Sequence, residues 1–293
     1  MSIVVESVSA VATARSSNLT VTKPTGVVVG NLLVAVLVSV DSGAGTNNGT
    51  WSILSTWNDT TSANLGSRAG FSIQYRIATS ADVSASNYTF ASSQSEHLRG
   101  YMLRCSGNNI AGNPLGTTGQ EAEKDVVSAT FTGNLTSYTP AENGALVIMQ
   151  VVGSSGGPRN ATVSGYTVPN VSFTEGDDSS HGDGSPALVQ ASAYGIQSTA
   201  AAITTYVATF SSSYDDHFGQ FVLFLPPVNA TGTNVLTETN TTTFTQAGTC
   251  DTIGENTLLE TDTTMFAQNG TGTSPTQWTN EAKPSTTWVN ETK

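Results

Sequence analysis

The chain has 293 residues, 37% of them hydrophobic, and its 22 acidic against 10 basic residues give a net charge of −12. So acidic a chain lacks the basic surface that nucleic-acid binding requires, and an anionic membrane should repel it for the same reason. We therefore expect neither nucleic acid nor a membrane as a partner. Only 11% of the residues are charged, and the abundance of Ser, Thr, Asn and Gly favours strands and turns over helices.

The residues 1–106 are predicted to form a first β-sandwich unit. The apolar residues alternate loosely between 3 and 22, which predicts a strand. The segment 31–40 is a continuous apolar run rich in Val, which favours a buried strand. The segment 71–77 alternates apolar and polar residues and predicts a half-buried strand. A last apolar strand, 98–105, closes the unit.

A second unit, residues 125–227, repeats this order after a predicted linker at 107–124, which is rich in turn formers. The apolar run at 144–152 corresponds to the one at 31–40, and the segment 188–196 corresponds to 71–77. Pro226 and Pro227 end the unit. The repetition predicts a duplicated architecture, because a fixed internal offset is the signature of repeated structural units.

The clearest part of the repeat is Asn87 to Leu103, which recurs 120 residues later as Val207 to Leu223. Thr-Phe, Ser-Ser and a histidine, His97 or His217, occupy the same places in both copies. The residues predicted to be buried in one unit are Val34, Val36, Phe71, Ile73, Tyr75, Phe90 and Leu103, and in the other Val147, Met149, Tyr194, Phe210, Val222 and Phe224.

The residues 228–293 form a Thr-rich tail with repeats of its own. The segment 234–249 recurs 22 residues later at 256–271, and ten of the sixteen positions are identical. The tail is predicted to be extended, and its apolar residues are too sparse to form a core. Two repeats also fall short of the three that a self-supporting stack requires. The tail could be a flexible linker, but we favour docking on a neighbouring subunit. The expected assembly contacts are these aromatic side chains: Phe244, Phe266, Trp278 and Trp288.

Two groups of residues resemble catalytic or metal sites, and for each we favour a structural role. Gly153 to Gly157 matches the pattern G-x-S-x-G, but a nucleophile elbow opens a helix, and a probable strand follows here. His97 and His217 could act as bases or metal ligands, yet no third ligand or nucleophile recurs with them. We therefore predict no enzymatic activity, no cofactor and no metal, so that Ser155 and His217 are not expected to act in catalysis.

An acidic, Gly-rich stretch and two tryptophans are the remaining candidates for ligand contact. The residues 175–184 could bind Ca²⁺ through carboxylates, although a solvated loop is favoured because the spacing departs from that of an EF-hand. Trp51 and Trp57 could stack on sugar rings, or they could fill one end of the core; the sequence leaves both alternatives open. Cys105 and Cys250 could form one bridge, but unpaired thiols are favoured.

The ending WTNEAKPSTTWVNETK resembles short Trp-Asn-Glu-Lys repeats of phage structural proteins. Within about residues 1–227, several segments together resemble a known kind of module: LTVTKP, GVVVGNLLVAVLV, FSIQYRIATSAD and YTF. In pattern and order they are similar to a β-sandwich module of bacteriophage virion proteins and bacterial surface proteins. Together with the internal repeat, this resemblance predicts an all-β fold with two duplicated antiparallel, jelly-roll-like units, which form either two sandwiches or one larger sandwich, and an extended repeat tail. It also implies a homo-oligomeric capsid decoration or fibre subunit on the virion surface, with other virion subunits as partners.

The sequence is also compatible with two other functions. One is a glycan-binding receptor module of a tail fibre, which would use Trp51 and Trp57 to contact a host surface glycan. The other is a secreted filament subunit on a cell surface, which would carry glycans on its Asn-x-Ser/Thr triplets. Those triplets include the ones that begin at Asn18, Asn58, Asn134 and Asn290.

Overall fold

Antiparallel β-strands make up most of the described part of residues 2–227, which also contains one short helix. This confirms the predicted all-β class. The computed structural model describes residues 2–40, 50–60, 63–65, 69–108, 113–123, 127–154, 161–181, 188–227, 234–238, 244–247, 256–260 and 266–269.

The elements of the first half are β1 (Val4–Val8), β2 (Ala12–Thr22), β3 (Leu32–Val40), β4 (Asn58–Asp59), β5 (Ala63–Leu65), β6 (Ala69–Ile77), α1 (Ser80–Ser84) and β7 (Asn87–Ser106). The second half contains β8 (Leu115–Glu123), β9 (Ser128–Tyr138), β10 (Ala145–Ser154), β11 (Val163–Thr167), β12 (Val171–His181), β13 (Leu188–Gln197), β14 (Ile203–Tyr214) and β15 (Asp216–Phe224). The tail contains β16 (Asn234–Glu238), β17 (Phe244–Ala247), β18 (Asn256–Glu260) and β19 (Phe266–Asn269).

Each half contains a central sheet, and the two central sheets have the same kind of strand order. The first central sheet runs β1-β7-β3-β6-β4, and the second runs β8-β15-β10-β13-β12. In each, the long apolar strand, β3 or β10, lies in the middle. Residues 1–228 form one compact unit that contains both sheets, and the tail is a second unit.

The two central sheets pack face to face in what we call the shared core. Its members are Ile3 and residues of β3, β6 and β7 on one side and residues of β10, β13 and β15 on the other. Tyr75 and Phe224 meet there edge to face, with ring centroids 5.2 Å apart. Val222 and Phe224 therefore pack against residues of the first half, although the sequence placed them in a separate core.

The opposite face of each central sheet is covered by an outer layer. In the first half this layer is β2 with the first part of β7, and in the second half it is the sheet β11-β14-β9. β3 and β10 are therefore buried on both faces, as their continuous apolar sequences require. β6 was predicted to be half-buried, but Ser72 and Gln74 on its polar face are also buried. Gln74 donates a hydrogen bond to the backbone carbonyl of Ser52 and accepts one from the backbone of Leu54.

The two copies of the repeated segment differ by a reversal of side-chain direction. Phe90 and Phe210 both point into the core of their own half. Beyond the turn, Tyr101 faces the shared core, whereas its sequence counterpart Phe221 faces the core of the second half. β7 is continuous, but β14 and β15 are separated at Asp215. A shift of one residue at such a break turns every later side chain to the other face.

The segment 107–124, which was predicted to be a linker, also differs from the sequence prediction. Its residues Leu115–Glu123 form β8, which pairs with β15 at the edge of the second central sheet. The turn formers and charged residues that suggested a linker are compatible with an edge strand, where polar and charged side chains are favoured.

Polar side chains also cross the shared core. Arg99 of β7 donates two hydrogen bonds to Asp177 of β12, with N–O distances of 2.9 and 2.6 Å. Gln190 donates to the same carboxylate at 3.3 Å. Gln150 of β10 donates across the interface to the backbone carbonyl of Leu37, at 3.1 Å. These contacts fix the position of one sheet relative to the other.

The core aromatics Phe90 and Phe210 should each contribute strongly to stability. Replacing either with Ala should lower the free energy of unfolding by about 3–5 kcal/mol, because a buried ring leaves a cavity. Urea denaturation would measure this loss, with Val127→Ala as the control, since Val127 is 74% exposed. Wild-type midpoints for the two Phe variants would contradict the buried core positions.

The Arg99–Asp177 pair should behave as a buried ion pair. Arg99→Leu should cost up to about 3 kcal/mol, because the Asp177 carboxylate would lose its charged partner in a place shielded from water. The double variant Arg99→Leu/Asp177→Leu should recover most of this loss in a double-mutant cycle. The control is Glu6→Gln at the exposed pair with Arg104, where a loss below about 1 kcal/mol is expected. Additive effects at Arg99 and Asp177 would contradict the coupling.

Candidate functional site

Trp51 and Trp57, the predicted glycan contacts, are both buried in the core of the first half. Trp51 donates from its indole nitrogen to the carbonyl of Gly70 at 3.3 Å. Trp57 packs edge to face on Tyr88 and Phe90, with ring centroids 5.2 and 5.6 Å away. Both rings therefore fill the core, which is one of the two alternatives that the sequence left open.

A polar network closes the core beside Trp57. Asp82 accepts hydrogen bonds from Thr79 and from the hydroxyl of Tyr88, and it lies 3.2 Å from Arg76. Burial by itself would raise the pKa of Asp82, but these hydrogen bonds and the Arg76 charge together lower it. Arg76 also lies 5.9 Å from the centroid of the Trp57 ring. The network holds α1 and the tryptophan in place, which is a structural role.

His97 and His217 do not form equivalent sites. His217 is fully buried among the rings of Phe131, Phe210 and Tyr214. His97 is only half-buried, on the same face of β7 as Arg99. The duplicated site that the sequence suggested is therefore absent at these two positions.

The buried environment alters the acid–base behaviour of His217. Burial lowers its pKa below the ordinary value of 6.5, although a hydrogen bond to the Ser128 backbone and the nearby carboxylates of Asp215 and Asp216 act in the opposite direction. The imidazole is thus held neutral inside an aromatic cluster. A neutral ring that packs on three aromatic side chains stabilises the outer layer of the second half.

The acidic stretch at 175–184 lies partly in a strand and was predicted as a loop. Glu175 to His181 belong to β12, while 182–184 lie outside the described residues. Asp177 is bound by Arg99, and Asp178 accepts a hydrogen bond from the backbone of Val163. Burial raises the pKa of Asp178 to about 6. Within the described residues, no group of three acidic, His or Cys side chains could hold a metal ion.

The G-x-S-x-G segment begins at the end of β10. Gly153 and Ser154 complete that strand, and Ser155 to Gly157 lie outside the described residues. The next described element is the strand β11, in agreement with the strand predicted there.

Cys105 is unpaired and buried in the shared core, and burial raises its pKa to about 12. Cys250 lies outside the described residues.

The tail strands bring two of the four predicted assembly residues together. β17 and β19 pair in parallel, and Phe244 is the register partner of Phe266. β16 and β18 pair in the same way. Trp278 and Trp288 lie outside the described residues. The sequence identified the repeat but did not predict that its two copies would pair with each other.

No protein-family model, curated protein or solved structure matches this chain. In the part of the chain that the structure describes, no helix has the length and apolar character needed to span a membrane.

The buried His217 should make stability depend on pH. The unfolded chain takes up a proton at His217 more readily than the folded protein does, so stability is complete above about 6.5 and falls as the pH drops towards the lower folded pKa. His217→Gln should reduce this loss, measured as the difference from wild type in urea denaturation between neutral and mildly acidic pH. Asp178 has a raised pKa that favours folding at lower pH, and its contribution is the same in the variant and the wild type. Subtracting the wild-type value at each pH therefore removes it. His97→Gln is the control, and an equal change in both variants would contradict the assignment.

Proposed function

We propose that this protein is a non-enzymatic structural subunit of a bacteriophage virion, displayed on the particle surface as a capsid decoration or as part of a fibre. In this proposal, residues 1–227 are two duplicated, jelly-roll-like sandwich units, and the tail docks on a neighbouring subunit. The observation that carries the proposal is the tail, where the repeated strands pair with each other but remain too short to form a core.

The arrangement of the two halves supports the duplication. Their central sheets have corresponding strand orders. A small detail also recurs: the backbone of Thr50 donates to the hydroxyl of Ser93, and Thr162 donates to Ser211 in the same way, both at 2.9 Å. In each case the serine backbone donates back to the threonine carbonyl. Ser93 lies three residues after Phe90 and Ser211 one residue after Phe210, so the two pairs are similar contacts near corresponding phenylalanines and not identical positions of the repeat.

The candidate chemical groups support a structural role. The tryptophans fill a core, His217 packs in an aromatic cluster, and Asp177 belongs to an ion pair that joins the two central sheets. Each of these side chains serves packing or the joining of layers. A compact unit followed along the chain by a repeat segment suits a surface subunit of a particle, and the resemblance to virion modules points to the same class.

Deleting residues 228–293 should separate folding from assembly. The fragment 1–227 should remain soluble and melt cooperatively, because the first compact unit ends at Val228. It should fail to join particles, measured by immunoblotting of purified virions and by antibody labelling in electron micrographs. Incorporation of the fragment at the level of the full chain would contradict the proposed role of the tail.

A point variant would test the aromatic residues more finely. Phe244→Ser/Phe266→Ser in the full chain should reduce incorporation strongly, since an interface anchor is worth on the order of 2 kcal/mol, or about thirtyfold in affinity. The matched control is Thr245→Ser/Ala267→Ser, at the adjacent register positions of the same strands. Equal incorporation of both variants would exclude the aromatic residues as anchors.

A further inference from the structure

We propose that the tail of one chain continues the β-ladder of the tail of another copy, so that copies join head to tail through parallel, in-register strands. This inference rests on the proposed function in one respect, the role of the tail as the assembly element. It adds the identity of the neighbour, which is a second copy of this chain, and the geometry of the contact.

The strand register of the tail equals the length of its sequence repeat. β16 pairs with β18 from Asn234–Asn256 to Glu238–Glu260, and β17 pairs with β19 from Phe244–Phe266 to Ala247–Asn269. Every pair joins residues that are 22 apart, which is the repeat length. In these strands, each position of the first repeat therefore pairs with the same position of the second.

The identities within the repeat follow the alternation of a strand. Within β16 and β17, residues 234, 236, 238, 244 and 246 are each identical to the residue 22 positions later, whereas 235, 237, 245 and 247 all differ from theirs. Alternate residues of a strand share one face, so one face of each strand is preserved while the other varies. Such a pattern indicates that like residues must stack on like, as in ladders of Asn, Gln and aromatic residues.

The paired strands leave edges that only a further repeat would match. Within the described part of the tail, each strand pairs on one side only. β16 and β18 are copies of one repeat, so the unpaired edge of β18 is equivalent to the edge of β16 on which β18 pairs. The strand that matches the unpaired edge is therefore a further copy of this repeat. The chain contains this repeat twice, and both copies are already paired, so the next strand must come from another molecule.

The geometry also decides how the two molecules meet. A two-fold contact would place β18 against β18 in opposite directions and would lose the stacking of like on like. A head-to-tail contact preserves the direction, the register and the identical face. Contacts of this heterologous kind produce rings when the rotation closes and filaments when it does not. The inferred assembly is therefore an open or cyclic series of copies, and not an isolated two-fold dimer.

Cysteine cross-linking of the full chain would test the contact. Thr237 and Leu259 are register partners, and they lie on the varying face of the repeat. Two variants would carry one new cysteine each, Thr237→Cys or Leu259→Cys, in a Cys250→Ser background. Neighbouring strands are about 4.8 Å apart, within the roughly 4.4–6.8 Å between Cα atoms that a disulfide spans, whereas strands two rungs apart are separated by about 9.6 Å.

The expected result is a disulfide-linked dimer when the two variants are mixed and oxidised, and none when either is oxidised alone. The double variant Thr237→Cys/Leu259→Cys at high dilution is the matched control, and it should close a bridge within one chain. Sedimentation velocity of the wild type should show mass increasing with concentration. A dimer from either single variant alone, no dimer from the mixture, an unbridged double variant, or a monomer at every concentration would each overturn the inference.

These outcomes differ from those that test the proposed function. The cross-linking uses the purified chain without any particle, whereas the tail deletion is scored on virions. A chain that stays monomeric but still needs its tail to join particles would refute the copy-to-copy ladder alone. A chain that forms the mixed disulfide but joins particles without its tail would refute the proposed role of the tail in the virion and leave the ladder intact.

Discussion

The contact between the two central sheets is the constraint on which the rest of the fold depends. Once these sheets share a core, β3 and β10 have neighbours on both faces, and only continuous apolar sequences satisfy such positions. Each sheet then needs an outer layer on its remaining face. β7 provides it in the first half by passing from the outer layer into the central sheet, and β14 and β15 do so in the second.

Polar groups inside this contact determine how the sheets are aligned. Apolar surfaces can slide with little change in buried area, because the hydrophobic effect has no preferred direction. The ion pair of Arg99 with Asp177 and the hydrogen bond from Gln150 to Leu37 do have preferred directions. Pairing offsets the cost of burying such charges and adds little net stability, so their main effect is on alignment. The buried Arg99 requires a carboxylate partner, which explains why Asp177 of the acidic stretch lies in a strand.

The sequence was sufficient for the strands and for most of the buried residues, because apolar runs and alternation depend on neighbouring positions only. It was insufficient where a residue's surroundings come from distant parts of the chain. Nothing local distinguishes a tryptophan that closes a core from one that meets a ligand, as Trp51 and Trp57 show. The break at Asp215 changes the sheet face on which His217 lies, although the sequence next to His217 resembles the sequence next to His97. Likewise, β8 is a strand only because β15 offers it an edge.

The tail obeys a different principle from the unit that precedes it. Residues 1–228 gain their order from burial, whereas the tail strands gain theirs from the repetition of sequence between paired rungs. The pairing of Glu238 with Glu260 shows the cost of that arrangement, because like charges opposite each other destabilise a sheet. In the proposed head-to-tail assembly, each added copy extends this row of carboxylates. Hydrogen bonds and stacked apolar residues favour growth while charge opposes it, and salt, which screens exposed charges, shifts the balance towards assembly.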